Sequence, residues 1–407
     1  MTDKVSITPG STMVLDNVSG DLEIGRHATV KASPSQFKVT VSGTVFCEGD
    51  DTFECSLVAE NLEAEGDIAV RGDLEVRDEV EVEDGSLQVD GSMSARSVDI
   101  DETLHVNKDF SGEKVEVGGS LRVDGNVKAE EMEVGGTFDA RGEVASRSIE
   151  VGGSLAIRSK SSIESLEVGG TAMVAGGVVR EVDVGGTFES TGPLEFEGID
   201  VGGTVKLSGK NKGGKIEVGG SLAVQGDLEF EEIDVGGTVS ITGLAEGCNM
   251  EVGGTVNVDG SLKLSGRLEI GGTVNVSGEI ASGDVEIGGT VRAHKIAAEQ
   301  RVDVGGSITT SDGVAARVVE IGRRGEVRGA VRADIVIIGR DAHAENVYGR
   351  EILLRTGATV NSIYGQRITI ESNCDVHGEV QYTGELRLGE RVTLAKQPQK
   401  VDNLPSQ

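Results

Sequence analysis

The sequence has 407 residues, a formal net charge of −31 and only 3% aromatic residues, with no tryptophan. Such a charge argues against nucleic acid as a partner, because phosphates attract basic proteins. No apolar run is long enough to cross a membrane and none follows Met1, so the sequence predicts a cytoplasmic protein.

The part of the chain that precedes Lys114 carries a weak repetitive signal. Residues 1–20 show no pattern, and we expect them to be irregular. Between residues 21 and 113, short runs that alternate between apolar and polar residues return at uneven spacing, and such alternation predicts strands of a solenoid with irregular register. The stretch 46–67 departs most from the spacing, and its acidic bend at residues 48–51 is predicted to bulge outward.

Residues 114–321 carry the strongest pattern. Val or Ile followed by Gly-Gly and then Ser or Thr occurs twelve times, at a nearly constant spacing of about 17 residues. Regular repetition of this kind is typical of a solenoid, in which each repeat buries its apolar face only against neighbouring repeats. The first glycines of the twelve motifs are Gly118, Gly135, Gly152, Gly169, Gly185, Gly202, Gly219, Gly236, Gly253, Gly271, Gly288 and Gly305.

Each repeat contains three short strands. In residues 216–230 the runs Ile-Glu-Val, Leu-Ala-Val and Leu-Glu-Phe alternate between apolar and polar residues and are separated by glycine-containing corners. Strands this short can only stack on the equivalent strands of the next repeat, about 4.8 Å away. We therefore predict an all-β, single-stranded parallel β-helix with three short strands per coil and, counting outer coils, roughly 20–22 coils. The paired glycines are expected to supply φ > 0 at a sharp corner and to leave space where corners stack.

The C-terminal coils, residues 322–392, have a different corner sequence and a slightly shorter spacing. Two Tyr-Gly pairs recur one coil apart. Their spacing predicts that Tyr348 and Tyr364 stack on successive coils and that Tyr382 continues the column. Residues 393–407 contain two prolines and are expected to form a flexible tail.

An acidic residue stands two positions before the first glycine of every motif, and once more in the following coil. Alternation places this acidic column outside, where adjacent like charges repel by about 0.9 kcal/mol without salt. We interpret the column as a solvated face suited to a very salty cytoplasm, with a column of cation sites as the alternative. The column consists of Glu116, Glu133, Glu150, Glu167, Asp183, Asp200, Glu217, Asp234, Glu251, Glu269, Glu286, Asp303 and Glu320.

Candidate catalytic and cofactor motifs fail on their spacing. Residues 209–216 approximate a P-loop, but Ile216 occupies the position of the Ser or Thr that holds magnesium. The histidines are scattered, and the four cysteines form no metal-like pattern. We therefore expect no cofactor, no metal and no enzymatic activity, with a polysaccharide-active β-helix enzyme as the least favoured alternative.

The two terminal coils are the candidate sites of self-assembly. A solenoid exposes an unpaired strand edge and open apolar columns at each end, and neither end of this sequence has helical periodicity long enough to cover them. We expect Leu22 and Ile24 at the N-terminal end, and Tyr382, Leu386 and Leu388 at the C-terminal end, to form the assembly surfaces.

The coil pattern resembles the bactofilins, a family of polymer-forming cytoskeletal proteins. Residues 336–388 and the ending 400–405 look like archaeal members, especially those of halophiles, and the similarity covers residues 84–405. The resemblance implies a right-handed β-helix that assembles without nucleotide into non-polar filaments that scaffold cell shape. The implied partners are further copies of the chain, other bactofilin-like subunits or a membrane adaptor, with the protein either free in the cytoplasm or associated with the membrane.

We predict a structural cytoskeletal protein that polymerises through its terminal coils. The alternative is a monomeric β-solenoid that serves as a scaffold or binding surface. The two differ in whether purified protein forms filaments.

Overall fold

Alternation of apolar and polar residues produces strands with one buried and one solvated face. In the coil that begins at Lys215, Ile216 and Val218 are buried while Glu217 between them lies outside. Val218 stacks on Val235 of the next coil in parallel register. Repetition of this pairing builds columns of aliphatic side chains, because parallel strands place equivalent positions over one another.

This arrangement holds throughout residues 4–405, the part of the chain that the computed structural model describes. In that part there is no helix, and parallel strands stack as a β-solenoid of about 23 turns. The predicted all-β parallel solenoid with three short strands per coil is therefore confirmed. The coils fall into two units, residues 1–202 and residues 203–407.

The strands of the first unit are, in chain order, β1 (Lys4–Ile7), β2 (Thr12–Val14), β3 (Asn17–Val18), β4 (Asp21–Ile24), β5 (Thr29–Lys31), β6 (Lys38–Val41), β7 (Thr44–Cys47), β8 (Asp51–Phe53), β9 (Ser56–Ala59), β10 (Asn61–Glu65), β11 (Ile68–Val70), β12 (Leu74–Val76), β13 (Glu79–Glu83), β14 (Leu87–Val89), β15 (Met93–Ser94), β16 (Ser97–Ile100), β17 (Thr103–Val106), β18 (Phe110–Ser111), β19 (Lys114–Val117), β20 (Ser120–Val123), β21 (Val127–Val134), β22 (Thr137–Ala140), β23 (Val144–Val151), β24 (Ser154–Ile157), β25 (Ser161–Val168), β26 (Thr171–Val174), β27 (Gly177–Val184), β28 (Thr187–Ser190), β29 (Leu194–Glu195) and β30 (Gly198–Val201).

The strands of the second unit are β31 (Thr204–Ser208), β32 (Asn211–Lys212), β33 (Lys215–Val218), β34 (Ser221–Gln225), β35 (Leu228–Glu229), β36 (Glu232–Val235), β37 (Thr238–Ile241), β38 (Ala245–Gly247), β39 (Asn249–Val252), β40 (Thr255–Val258), β41 (Leu262–Leu264), β42 (Arg267–Ile270), β43 (Thr273–Ile287), β44 (Thr290–Val304), β45 (Ser307–Thr310), β46 (Val314–Ile321), β47 (Glu326–Arg328), β48 (Val331–Ile338), β49 (His343–Leu354), β50 (Thr359–Ile370), β51 (Asp375–Val376), β52 (Val380–Leu388), β53 (Thr393–Leu394) and β54 (Gln399–Lys400).

Three stacks of strands form the three sides of each unit. In the first unit β16 pairs with β19, β17 with β20 and β18 with β21. In the second unit β33 pairs with β36, β34 with β37 and β35 with β38. We call the stacks that contain β16 and β33 the acidic side, because they carry the acidic column, and the next two in chain order the second and third sides.

The paired glycines are needed for space and not for backbone conformation. The expectation of φ > 0 at these positions is wrong, since in the described residues positive φ occurs at other glycines, such as Gly226. A Cβ atom at Gly152 would lie 2.4 Å from the carbonyl oxygen of Gly135, one coil earlier. Stacked corners therefore admit no side chain, as sequence reasoning also proposed.

After residue 321 the corners follow a different rule. The glycine pair is replaced by a corner that contains one left-handed residue, with φ between 54° and 79°. Asn and Asp tolerate this conformation better than most residues, and Gly adopts it freely. The residues at this corner position are Arg324, Asp341, Gly357, Asn373 and Arg391.

The N-terminal residues differ from the expectation of an irregular segment. Strands β1, β2 and β3 form a coil of their own, and β1 pairs with β4 from Lys4 opposite Asp21 to Ile7 opposite Ile24. Residues 1–3 of the predicted segment lie outside the described residues. The sequence signal was missed because the following coil is longer, so that no third coil repeats the spacing.

An insertion, and not a bulge at residues 48–51, shifts the register of the early coils. The step along the chain from Thr12 to its partner Thr29 is shorter than the step from Thr29 to its own partner Thr52. The extra residues lie between β5 and β6, where Phe37 is 75% exposed. Asp51 begins β8 and is buried, so the prediction that this bend bulges outward is wrong at Asp51.

Of the three tyrosines predicted to stack in the C-terminal coils, two do so and the third does not. The rings of Tyr348 and Tyr364 are stacked, with centroids 4.9 Å apart. Tyr382 lies opposite Gly365, while Gln381 lies opposite Tyr364, so Tyr382 does not continue the column. The residues predicted as a flexible tail include β53 and β54, which pair with β51 and β52. Residues 406–407 lie outside the described part.

Candidate functional site

The thirteen predicted members of the acidic column all lie on the outer face of the acidic side, exposed or half-buried. In the first unit the register connects Glu116 through successive coils to Asp200. In the second unit it connects Glu217 to Glu320 in the same way. The column inferred from spacing therefore exists in each unit.

The structure adds three acidic residues that sequence reasoning missed. Glu63 pairs with Glu81, Glu81 with Asp99, and Asp99 with Glu116. These coils lack the glycine pair that served as the reference point. The signal that could have found them is the alternation within β13 and β16, which places Glu81 and Asp99 between buried valine and isoleucine residues.

Burial and neighbouring carboxylates affect proton binding at two members of the column. Partial desolvation raises the pKa of Glu81, and the carboxylates of Glu83 and Glu79 raise it further. The pKa of Asp99 is raised by desolvation and then by Glu116. Both shifts have the sign expected when a carboxylate is held beside others of the same charge.

Basic residues neutralise only part of the column. Four of them occupy the adjacent outward position, and their nitrogens lie near column carboxylates: Lys114 at 3.7 Å from Glu116, Lys215 at 2.6 Å from Glu217, Arg267 at 3.0 Å from Glu269, and Arg301 at 3.1 Å from Asp303. Among the described residues no ion pair reaches the column members from Glu133 to Asp200. Five successive members of the column in the first unit therefore have no basic side chain in contact to offset their repulsion.

The acidic column ends at Glu320 and is continued by apolar residues. Glu320 pairs with Ile337, and Ile337 with Leu353. Both of these side chains are half-exposed on the outer face. Farther along, the carboxylate of Glu351 is paired with Arg367 of the next coil. The last coils of the acidic side therefore lack the like-charge repulsion of the earlier ones.

The N-terminal edge is formed by β1, one coil before the predicted residues. Leu22 and Ile24 are fully buried because Val5 and Ile7 of β1 pair with them. The outer edge of β1 has no partner strand among the described residues. Apolar side chains remain open in this coil, with Met13 39% exposed.

At the C-terminal end, the three predicted residues lie on β52 and differ in how they are covered. Leu386 and Leu388 pair through β52 with Ile368 and Ile370 of β50, and Leu388 remains 48% exposed. Strand β54 pairs with Gln381 and Tyr382 of β52. Tyr382 therefore has a neighbour on both sides, whereas within residues 4–405 the stretch 385–388 has a partner strand on one side only.

One arrangement resembles a catalytic triad without its surroundings. Ser311 Oγ lies 2.7 Å from His294 Nδ1, and Asp312 Oδ2 lies 3.6 Å from His294 Nε2. Triad catalysis requires a well-oriented base in a site that excludes water. Here the side chains of His294 and Asp312 are 56% and 63% exposed. This geometry supplies contacts at an open corner and does not by itself support hydrolysis.

Ligand-binding features are few in the described residues. Across residues 4–405 no group of three or more His, Cys, Asp or Glu side chains is arranged to hold a metal ion. Over the same range, no helix that is long and apolar enough to span a membrane occurs. Comparison of the chain with family models, curated proteins and solved structures found no match.

Proposed function

We propose that this protein is a structural subunit that assembles end to end, without nucleotide, into filaments that scaffold cell shape. The β-solenoid scaffold is the established part. Filament formation, a cytoskeletal role in the cytoplasm or at the membrane, and membership of the bactofilins are the proposal. The subunit's main partner is a further copy of itself.

The observation that carries the proposal is the pair of strand edges that have no partner strand among the described residues. Among the described residues, strand β1 has β4 as its one partner, and residues 385–388 of β52 have β50 as theirs. Exposed parallel edges with open apolar columns bind further strands readily, since unpaired N–H and C=O groups gain hydrogen bonds there. Monomeric solenoids normally cover such edges with a capping element.

Charge distribution favours growth along one direction. The acidic column extends over many coils and opposes face-to-face packing of two copies. Residues 317–402 contain 13 basic and 12 acidic side chains, so that the first 316 residues carry a charge of about −32. A nearly neutral end can approach an acidic neighbouring copy at a lower electrostatic cost than an acidic end could.

A monomeric scaffold is the second candidate. Strands β53 and β54 extend over part of the last coil, and this is the observation that favours it. If they close the end, the acidic column and the apolar residues beyond it become the working surfaces, and the protein acts as a binding platform.

Electron microscopy of the purified protein in molar salt, without nucleotide, separates the two candidates. We expect filaments whose width matches one or a few solenoids. Monodisperse single particles at every protein concentration, supported by sedimentation velocity, would favour the monomeric scaffold.

A matched pair of variants tests the role of the C-terminal edge. Leu388→Lys places a charge in the open apolar column and should shorten or abolish filaments. Leu244→Lys is the control, because Leu244 is 49% exposed and Leu388 is 48% exposed, but Leu244 lies in the corner between β37 and β38 of one coil, away from both ends. Equal filament lengths for the two variants would contradict a junction at Leu388.

A further inference from the structure

We infer that the stacked corners at residues 322–325 and 339–342 bind carboxylates, and that their occupant is the acidic column of a second copy. This lateral contact goes beyond the proposed end-to-end assembly and does not rest on it. It joins the second unit of one copy to the first unit of another. Unpaired arginines, open backbone N–H groups and a carboxylate already bound at an equivalent corner each support it.

Three arginines at these corners have no ionic partner. Arg323, Arg324 and Arg340 are exposed, and within residues 4–405 none of them forms an ion pair. One acidic residue, Asp341, shares the corners, so three arginines and one aspartate leave them with a charge of +2. A concentration of free positive charge in a chain of net charge −31 attracts anions.

A corner farther along shows how an anion binds in this geometry. The corner at residues 355–358 is equivalent, because β48 and β49, the strands just before the two corners, pair in register. There the carboxylate of Glu371, from the following coil, accepts hydrogen bonds from Thr356 N at 2.8 Å and from Thr356 Oγ1 at 2.9 Å. Glu371 Oε1 also lies 3.6 Å from Arg355. The second residue of such a corner thus presents its N–H group to an oxyanion.

The equivalent N–H groups of Arg340 and Arg323 are open. Among the described residues neither N–H has an acceptor. The position that Glu371 holds at the later corner is occupied by Arg355 beside Arg340, and by Gly339 beside Arg323. A cation, or no side chain at all, therefore stands where the acidic residue would be. Both N–H groups are accessible to carboxylates from outside the chain.

The arginines favour the charged form of a carboxylate held nearby. The pKa of Glu371 lies below its ordinary value, first because of the hydrogen bonds from Thr356 and then because of the positive charges of Arg355 and Arg340. Arg340 therefore acts on a carboxylate beyond its own corner. A carboxylate bound at the N–H of Arg340 itself would lie one coil nearer to this guanidinium group, and beside Arg355.

The spacing of the acidic column matches the spacing of the two open N–H groups. Arg323 and Arg340 are equivalent residues of successive coils, so their N–H groups lie about 4.8 Å apart. Column carboxylates are also one coil apart. Among the described residues, the five members from Glu133 to Asp200 form no ion pair. Two neighbouring carboxylates of one copy can therefore bind both corners of another copy when the two solenoids lie side by side.

A second copy fits these corners better than an anionic membrane surface does. Two N–H groups one coil apart are matched by oxyanions held at a fixed separation, which a rigid column provides and mobile lipid headgroups do not. The contact also joins two surfaces of opposite charge that are each uncompensated alone. Corner-to-column packing avoids the repulsion that two acidic columns would experience face to face.

Zero-length cross-linking identifies the occupant directly. A carbodiimide joins an amine to a carboxylate in contact with it, and Arg340→Lys supplies an amine at the corner while retaining the charge. Arg350→Lys, at an exposed position outside the corners, is the control. Unlabelled chains are mixed with chains labelled with a heavy nitrogen isotope, so that a cross-linked peptide that joins two copies carries both isotopes.

The lateral contact predicts which peptides are joined. Arg340→Lys should give mixed-isotope peptides that connect the introduced lysine to the column between Glu133 and Asp200. Arg350→Lys should give none with those column residues. The absence of mixed-isotope peptides from Arg340→Lys, or their connection to carboxylates outside the column, would overturn the inference.

Charge removal measures the strength of the contact. Arg323→Gln/Arg340→Gln is compared with Arg328→Gln/Arg350→Gln, which changes the net charge equally at two arginines that already form ion pairs. In electron micrographs, the protein concentration at which half of the copies lie side by side should rise about tenfold for the corner variant, the size expected for two exposed ion pairs. The control should change it far less. Equal changes would show that net charge alone controls association, and would overturn the inference.

Vesicles of equimolar phosphatidylserine and phosphatidylcholine distinguish a second copy from a lipid surface. In flotation assays the unmodified chain and Arg323→Gln/Arg340→Gln should bind these vesicles equally. Vesicle binding that this variant abolishes, with side-by-side association unchanged, would assign the corners to lipid headgroups and overturn the inference.

These results also separate the lateral contact from the proposed function. Single filaments that never lie side by side overturn the lateral contact and leave end-to-end assembly intact. Side-by-side association through the corners, in protein that forms no filaments, supports the lateral contact and overturns assembly into filaments.

Discussion

Asp51 Oδ1 accepts a hydrogen bond of 2.8 Å from the backbone N–H of Ala28, while Oδ2 of the same buried carboxyl group has no partner among the described residues. The side chain occupies an inner column of the second side, where Ile68 and then Leu87 follow in the next coils. A carboxylate among aliphatic side chains is poorly solvated.

This position predicts a local dependence of stability on pH. Burial raises the pKa of Asp51 to about 6 from an ordinary 3.8, so the folded state favours the protonated form. The free energy of unfolding should therefore fall as pH rises from about 4 to 6, by on the order of 2 kcal/mol or less. Asp51→Asn should remove this component, while Asp50→Asn, an exposed neighbour, should retain it. Proteolysis of the N-terminal coils across this pH range measures the effect, and identical pH profiles for Asp51→Asn and the unmodified chain would contradict it.

The acidic column predicts that the stability of the fold depends strongly on salt concentration. Replacing Glu150 by Gln, in the stretch without ion pairs, should raise the melting temperature at low ionic strength. The expected gain in the free energy of unfolding is about 1 kcal/mol, because a column member repels neighbours about 4.8 Å away. In molar salt the gain should largely vanish, since screening then acts over about 3 Å.

Glu269→Gln is the matched control for the column. Glu269 lies 3.0 Å from Arg267, so its removal costs an attraction as well as relieving repulsion. Its effect at low salt should therefore be smaller than that of Glu150→Gln, or opposite in sign. Equal stabilisation by the two substitutions would show that net charge, and not the arrangement of the column, controls stability.

Two glycine substitutions should separate the steric cost of an added Cβ atom from the conformational cost of positive φ. Gly152→Ala should destabilise by several kcal/mol, because a Cβ atom there would lie 2.4 Å from Gly135 O and the backbone must shift. Gly10→Ala should cost about 1 kcal/mol, since Gly10 has φ of +69° but nothing within 4 Å of the added atom. Chemical denaturation of the two variants checks the order, and a larger cost at Gly10 would contradict it.

The tyrosine register predicts a stronger energetic coupling between Tyr348 and Tyr364 than between Tyr364 and Tyr382. In a double-mutant cycle, Tyr348→Phe would leave the ring contact in place, so alanine is the informative replacement. Tyr348→Ala and Tyr364→Ala should be coupled by about 1 kcal/mol, the size of a stacked aromatic pair. Tyr364→Ala and Tyr382→Ala should show a smaller coupling, because Tyr382 is displaced by one position.

Sequence reasoning predicted most where the repeat is regular. The spacing of Val218 and Val235 specified their pairing, since a parallel stack has only one register that keeps apolar residues inside. It failed at the ends of the chain and near Asp51. There, coils of unequal length break the period, and neither alternation nor spacing shows where extra residues have been inserted.

The sequence by itself determined the class of fold, the three strands of each coil and the outward direction of the acidic column. These follow from local rules, because alternation at every second residue and the regular return of the glycine motif are both visible in one dimension. Only the tertiary structure decided which strand forms each end, that Asp51 is buried, and that the paired glycines serve stacking without positive φ. These depend on which residue of one coil lies against which residue of the next, and where coil lengths vary the sequence does not carry that relation.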